Sequence, residues 1–177
     1  TVTGIAQAGA TPVVIDVRMD DGLMNEKLIE AHITPRTKAL IPVHLYGQSC
    51  DMQPILDTAR AHGLKVVEDC AQAAGTTYRD RKAGRWSDCS AFSFYPTKNL
   101  GAYGDGGAVI TDDDDTAQRL RSLRNYGQTV RYHHDYEGIN SRLDEMQATI
   151  LRVKLKHLDA WNDRRRTIAA RYREGLT

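Results

Sequence analysis

The chain has 177 residues, of which 41% are hydrophobic and 27% charged, with a formal net charge of +1. That length and balance suit a soluble globular domain with a sizeable core and exclude disordered and collagen-like classes. Near-neutral charge gives no reason to expect nucleic acid, no run approaches the roughly 18 apolar residues of a membrane span, and no secretory leader opens the chain.

Pro12 to Val17 reads as a buried strand and Asn25 to Ile33 as a helix that Pro35 ends. Ala39 to His44 is the next strand, and its Pro42 points to an irregularity or a sheet edge. A helix over Met52 to His62 follows, with Asp51 as N-cap and Gly63 as the stop, and Leu64 to Glu68 is a third strand. Strand, helix, strand, helix, strand with short connections predicts an α/β fold, a central, mostly parallel sheet with flanking helices. Ligands gather beyond the carboxyl ends of such strands, which is where Asp69 and His44 fall. Small residues then run from Cys70 to Gly75, which lets a flat ligand approach the backbone.

Ala91 to Phe94 suits a buried strand, Pro96 stops it, and glycines at 101, 104, 106 and 107 make the next segment a tight loop. This stretch presents Lys98, which by itself reads as a solvated loop lysine. Gly107 to Thr111 is a further strand. The acidic run Asp112 to Asp115 opens a helix over Thr116 to Arg124, where its charge complements the helix dipole; it lacks the spacing of a calcium loop. Ser141 to Asp144 resembles a capping box. Leu143, Met146, Ile150, Val153 and His157 then repeat at helical spacing along a long amphipathic helix, and the chain continues helically from Trp161. Arg164, Arg165, Arg166, Arg171 and Arg173 lie among Asp159, Asp163 and Glu174, as on a solvated, partly paired face. Cys50, Cys70 and Cys89 show neither a disulfide framework nor zinc spacing, so no metal is expected and a cytoplasmic setting is the default.

Lys98 and Asp69 at neighbouring strand ends make a chemically meaningful pair. An amine can condense with an aldehyde cofactor, and a carboxylate can keep a pyridine nitrogen protonated. The motifs Val67-Glu68-Asp69-Cys70-Ala71-Gln72-Ala73, Ser93 to Gly101, Gly104 to Gly107 and Gly138 to Ala148, in that order, resemble the DegT/DnrJ/EryC1/StrS nucleotide-sugar aminotransferases. So do Thr34 to Lys38 and His44 to Gly47.

The resemblance implies the large domain of a fold-type I enzyme using pyridoxal 5'-phosphate. Lys98 is then the cofactor-anchoring lysine and proton shuttle, and Asp69 the partner of the pyridinium nitrogen. Gln72 lies by the ring near its 3-hydroxyl, Ser93 binds the phosphate, and Asn140 reaches the phosphate of a neighbouring subunit in a homodimer. It further implies an amino-acid donor, glutamate or glutamine, and a nucleotide-linked keto-6-deoxyhexose acceptor. Asn125-Tyr126-Gly127-Gln128 is closer to members acting at C3 than to the C4 branch.

Residues 1–157 are expected to be the large domain, incomplete at its N-terminus, and 158–177 a helix leading into a small C-terminal domain that is absent, so that activity of this stretch alone is doubtful. A C4 enzyme, a related dehydratase lacking the lysine anchor, and a non-catalytic sensory homologue are the alternatives.

Overall fold

In the computed structural model, which describes residues 1–176, the alternation of strands and helices gives a four-stranded sheet. Its strands are β1 (Ala39–Leu40), β2 (Lys65–Asp69), β5 (Cys89–Ser93) and β6 (Gly107–Ile110), in the spatial order β1-β2-β5-β6. The first three are parallel and β6 runs antiparallel to β5. A hairpin of β3 (Thr77–Tyr78) and β4 (Arg81–Lys82) links β2 to β5, and a second small pair joins β7 (Gln128–Val130) to β8 (His133–His134).

In β2, Val66 and Glu68 alternate with Lys65, Val67 and Asp69, and the even-numbered pair is buried, as period two requires of a half-buried strand. The helix α3 (Met52–Ala61) places Met52, Ile55 and Ala59 on one face. These pack with Leu23, Ile29, Cys50 and Val66 into the principal core. Gly63, at φ 63°, ends the helical segment in the left-handed region that glycine adopts without strain. Asp51 stands at the N-cap, but its carboxylate accepts from the Tyr78 hydroxyl instead of capping the helix.

A second cluster joins Leu100 and Ala102 to Leu151 of α5 (Glu145–Leu155) and Leu158 of α6 (Leu158–Gly175). The short α1 (Val2–Gln7) buries nothing of its own. The acidic run behaves as expected, Asp113 Oδ1 accepting from the Thr116 amide to start α4 (Asp114–Leu123). Residue 177, the last of the helix expected to lead into a small C-terminal domain, lies outside the described residues.

Several sequence expectations need correction. Pro12–Val17 is not a strand: Val13 and Val14 are 67% and 76% exposed, and Val17 makes an isolated bridge to Met24. High β propensity cannot replace a partner strand. The helix expected over 25–33 is a 3-10 turn, Glu26–Leu28, followed by the short α2 (Ile29–His32), because Ile33 is already extended two residues before Pro35. The strand expected over 39–44 breaks at Pro42 and resumes as a single bridge from Val43 to Asp69. The capping box at 141–144 does not form; Asp144 stands at the N-cap with no side-chain bond. The long helix divides at 156–157, and its predicted apolar stripe is largely open, with Met146 77% and Val153 57% exposed.

Candidate active site

Parallel pairing of β2 with β5 sets Asp69 opposite Ala91, so Asp69, Ala91 and Ser93 lie on one face at the carboxyl ends of adjacent strands. Asp69 Oδ1 accepts from the Ala71 amide at 3.0 Å, and Oδ2 accepts from the Thr1 hydroxyl. Both its backbone groups are held: the Asp69 amide donates to the Pro42 carbonyl (2.9 Å), and the His44 amide donates to the Asp69 carbonyl (3.1 Å). A carboxylate thus stands at the strand mouth on a fixed main chain.

Lys98 follows on the connection between β5 and β6. The Phe94 amide donates to the Gly106 carbonyl (2.7 Å), the Ala102 amide to the Phe94 carbonyl (2.8 Å), and the Lys98 amide to the Tyr95 carbonyl (2.9 Å). From outside, Asn99 Nδ2 donates to Asn162 Oδ1 of α6 at 2.9 Å, and Lys154 Nζ donates to the Gly101 carbonyl. Against this fixed turn the half-buried Lys98 amine has no hydrogen-bond or ion-pair partner among the described residues. With α6 the turn bounds an open groove of about 540 Å³, where Lys154, Arg164 and Arg165 join Lys98 beside Trp161. Local charge there favours anions.

The amide and hydroxyl groups are oriented by their neighbours. Gln72 Oε1 accepts the Tyr46 amide at 2.7 Å, so its Nε2 hydrogens remain free to donate. The Ser93 hydroxyl accepts the Tyr95 amide at 3.2 Å and keeps its own proton to give. Asn140 stands apart: it is exposed, bridged to Asn125, and no hydrogen bond links it to the other four. Its Oδ1 accepts Arg142 Nε at 2.9 Å, which again leaves the amide hydrogens free.

His44 departs from expectation. It is wholly buried instead of open at the strand mouth, and its Nε2 lies 2.9 Å from Glu68 Oε2. Nδ1 accepts the Cys50 amide at 3.1 Å, which puts the ring proton on Nε2. Glu68 also accepts from the amides of Gly84, Trp86 and Ser87 and from the Ser87 hydroxyl. Burial pushes its carboxyl up, but the bonds from His44, Gly84, Ser87 and Trp86 outweigh this and hold it below the usual carboxylate value.

His44, Glu68 and Cys70 lie close enough to suggest a metal site. Both ring nitrogens of His44 and both oxygens of Glu68 are already engaged, and burial pushes the Cys70 thiol up, so the trio is a hydrogen-bonded His44–Glu68 pair beside a protonated thiol. Sequence reasoning passed over Glu68. The available signal was its place two residues after Val66, on the buried face of a strand.

The donor set fits an aldehyde-bearing pyridine phosphate. It offers an unpartnered amine, a carboxylate acceptor for a ring N–H, and donors at Gln72 and Ser93 for oxygens.

Comparison with known proteins bears on what such a site does. The model of the DegT/DnrJ/EryC1/StrS aminotransferase family matches residues 1–177. A dTDP-3-amino-3,4,6-trideoxy-alpha-D-glucose transaminase of Micromonospora megalomicea subsp. nigra is 58% identical over 177 residues, covering 99% of this chain and 47% of the relative. The crystal structure of S. venezuelae DesV in complex with a ketimine intermediate superposes with a TM-score of 0.96 at 53% identity, covering 99% of this chain and 47% of that one. The structure of NtdA from Bacillus subtilis with bound cofactor PMP gives a TM-score of 0.83 at 34% identity, covering 88% and 36%. The chain spans about half the length of the curated relatives it matches.

Proposed function

The chain belongs to the DegT/DnrJ/EryC1/StrS aminotransferase family, and on that footing we propose that it carries the cofactor site of a pyridoxal 5'-phosphate-dependent sugar aminotransferase. The reaction moves an amino group from glutamate or glutamine to C3 of a nucleotide-linked keto-6-deoxyhexose. The observation that carries this reading is the pairing of β2 with β5, which sets Asp69 and the turn of the unpartnered Lys98 at adjacent strand ends. The C3 position is supported by the printed name of the Micromonospora relative, a 3-amino-sugar transaminase.

When bound, the cofactor supplies an electrophilic carbon and a ring that withdraws electrons from the carbon bearing the amine. Asp69 keeps the ring nitrogen protonated, which that withdrawal requires. Lys98 Nζ anchors the cofactor, takes the proton from Cα of the amino donor, and in the second half-reaction delivers a proton to the sugar carbon that becomes the amine-bearing centre. Gln72 Nε2 donates to the ring oxygen and Ser93 Oγ to the phosphate. Asn140, exposed and unattached to its own site, donates to the phosphate held by a second subunit, so the working enzyme is a homodimer. Among the described residues no helix is long and apolar enough to cross a membrane. We place the protein in the cytoplasm, where its three free cysteines stay reduced.

The test is the visible absorbance of the protein with pyridoxal phosphate. The expected result is a band that borohydride fixes as an adduct on Lys98 and that Lys98→Ala abolishes; a protein that stays colourless refutes the reading. Screening nucleotide keto sugars for consumption of the amine stored after glutamate treatment then identifies the acceptor and the carbon.

A further inference from the structure

We infer that His44 is a positioning residue of the cofactor site, the buried anchor of a segment, residues 42–47, that fixes both Asp69 and Gln72; the inference rests on the function proposed above. The segment touches the site at three places. Pro42 and His44 hold the amide and the carbonyl of Asp69, at 2.9 and 3.1 Å. The Tyr46 amide fixes the carbonyl end of Gln72 at 2.7 Å, and the Gly47 carbonyl accepts Thr76 Oγ1 at 2.8 Å.

This arrangement is not one the segment would hold unaided. Tyr46 takes φ 55°, a left-handed backbone that a side chain with a Cβ disfavours, and it is 81% exposed. Such a conformation persists where surrounding contacts over-determine it. The strongest of those contacts begin at His44, the residue that opens the turn. Its ring is fully buried, accepts the Cys50 amide on Nδ1 and donates from Nε2 to Glu68. Glu68 is in turn tied to Gly84, Trp86 and Ser87 in the connection before β5. The neutral, single-tautomer imidazole therefore links the connection before β5 to the turn that orients Gln72. With the ring gone, the Tyr46 amide is free to leave Gln72, and the Gln72 amide is free to rotate its carbonyl toward the ring oxygen.

The experiment compares wild type, His44→Phe and His44→Gln in the native-length protein, titrated with pyridoxal phosphate. It follows the dissociation constant, the pH at which the visible band interconverts, and the thermal midpoint. His44→Phe is expected to weaken cofactor binding on the order of 10–100-fold, as loss of an orienting partner does at metal sites, and to move the pH of interconversion. His44→Gln, which keeps a donor toward Glu68, is expected to recover most of both.

If His44→Phe does not fold, a cycle of His44→Gln with Gln72→Met decides. Effects on the band that are not additive support the link, and additive effects overturn it. A folded His44→Phe with wild-type affinity and pH profile, whatever its thermal midpoint, also overturns it. A wild type that develops no band overturns the proposed function and this inference together, whereas a wild-type band unmoved by His44→Phe overturns this inference alone.

Discussion

Replacing Gly101 by alanine is expected to slow the reaction sharply in a protein that still folds, and the structure gives the size of the effect. A Cβ at this position would sit 2.8 Å from the Pro96 carbonyl carbon, 2.9 Å from the Tyr95 carbonyl oxygen, and closer still to the Pro96 carbonyl oxygen. Carbon contacts settle at about 3.5–4.0 Å, so the turn must retreat by roughly 0.7–1.2 Å. Ala102, fully buried and bonded through its amide to Phe94, resists motion on one side. The displacement therefore passes into residues 95–98, whose own closure runs from the Lys98 amide to the Tyr95 carbonyl. A shift of about 1 Å at a reacting group costs on the order of 10²-fold in rate, while overpacking of this kind destabilises by about 1–3 kcal/mol.

The assay is single-turnover loss of the visible band after adding glutamate, beside a thermal melt. Gly104→Ala is the control, because its Cβ would meet the amide end of the flexible Gln147 side chain at 3.3 Å. A Gly101→Ala protein that turns over at the wild-type rate would refute the claim that this glycine sets the position of the lysine.

Other substitutions test other parts of the fold. Ile55→Ala, at a fully buried position in the α3 core, should cost about 2–5 kcal/mol by urea unfolding. Glu68→Gln should cost about 1–3 kcal/mol near neutrality, because its amide NH2 would face donors that the carboxylate accepts, and should also flatten the acid limb of stability. Between the lowered folded value of Glu68 and its ordinary value of about 4.3, the unfolded chain binds more protons, so stability rises with pH. That contribution is complete above the ordinary value and lost as pH falls through the folded one. Urea midpoints measured across this range in both proteins check the sign. Gly127→Ala, at φ 72° with its Cβ directed onto the Tyr136 carbonyl, should loosen residues 125–140 and raise their rate of proteolysis without changing cofactor binding to isolated subunits.

Much of this arrangement can be read from the residues. The alternation of strands and helices predicts a mostly parallel sheet from runs 12–17, 39–44 and 64–68; β1 and β2 answer to the last two, the first forms no strand, and Asp69 and Lys98 fall at the strand ends where that topology gathers ligands. What could not be read is whether a given face is covered. Period two makes Val66 and Glu68 neighbours on one face, but the loop at 84–87 that supplies donors to Glu68 is distant in sequence. Helical spacing likewise joins Met146 to Val153 without saying that both remain exposed, while burial falls on Leu151 and Leu158. The run Pro12–Val17 carries every local sign of a strand but, among the described residues, pairs only through the single bridge from Val17 to Met24.

The segment bearing Lys98 is closed at its base by pairing between β5 and β6, bonded to itself across the turn, and braced by Asn162 and Lys154. Opening such a loop as a gate opens would break these contacts together. If Lys98 carries the proton as proposed, the travel falls to the four methylenes of its side chain, whose torsions rotate on the picosecond to nanosecond scale where they are exposed. Under the proposed function the moving part would be a single side chain on a braced mount, able to reset between half-reactions without a change of backbone.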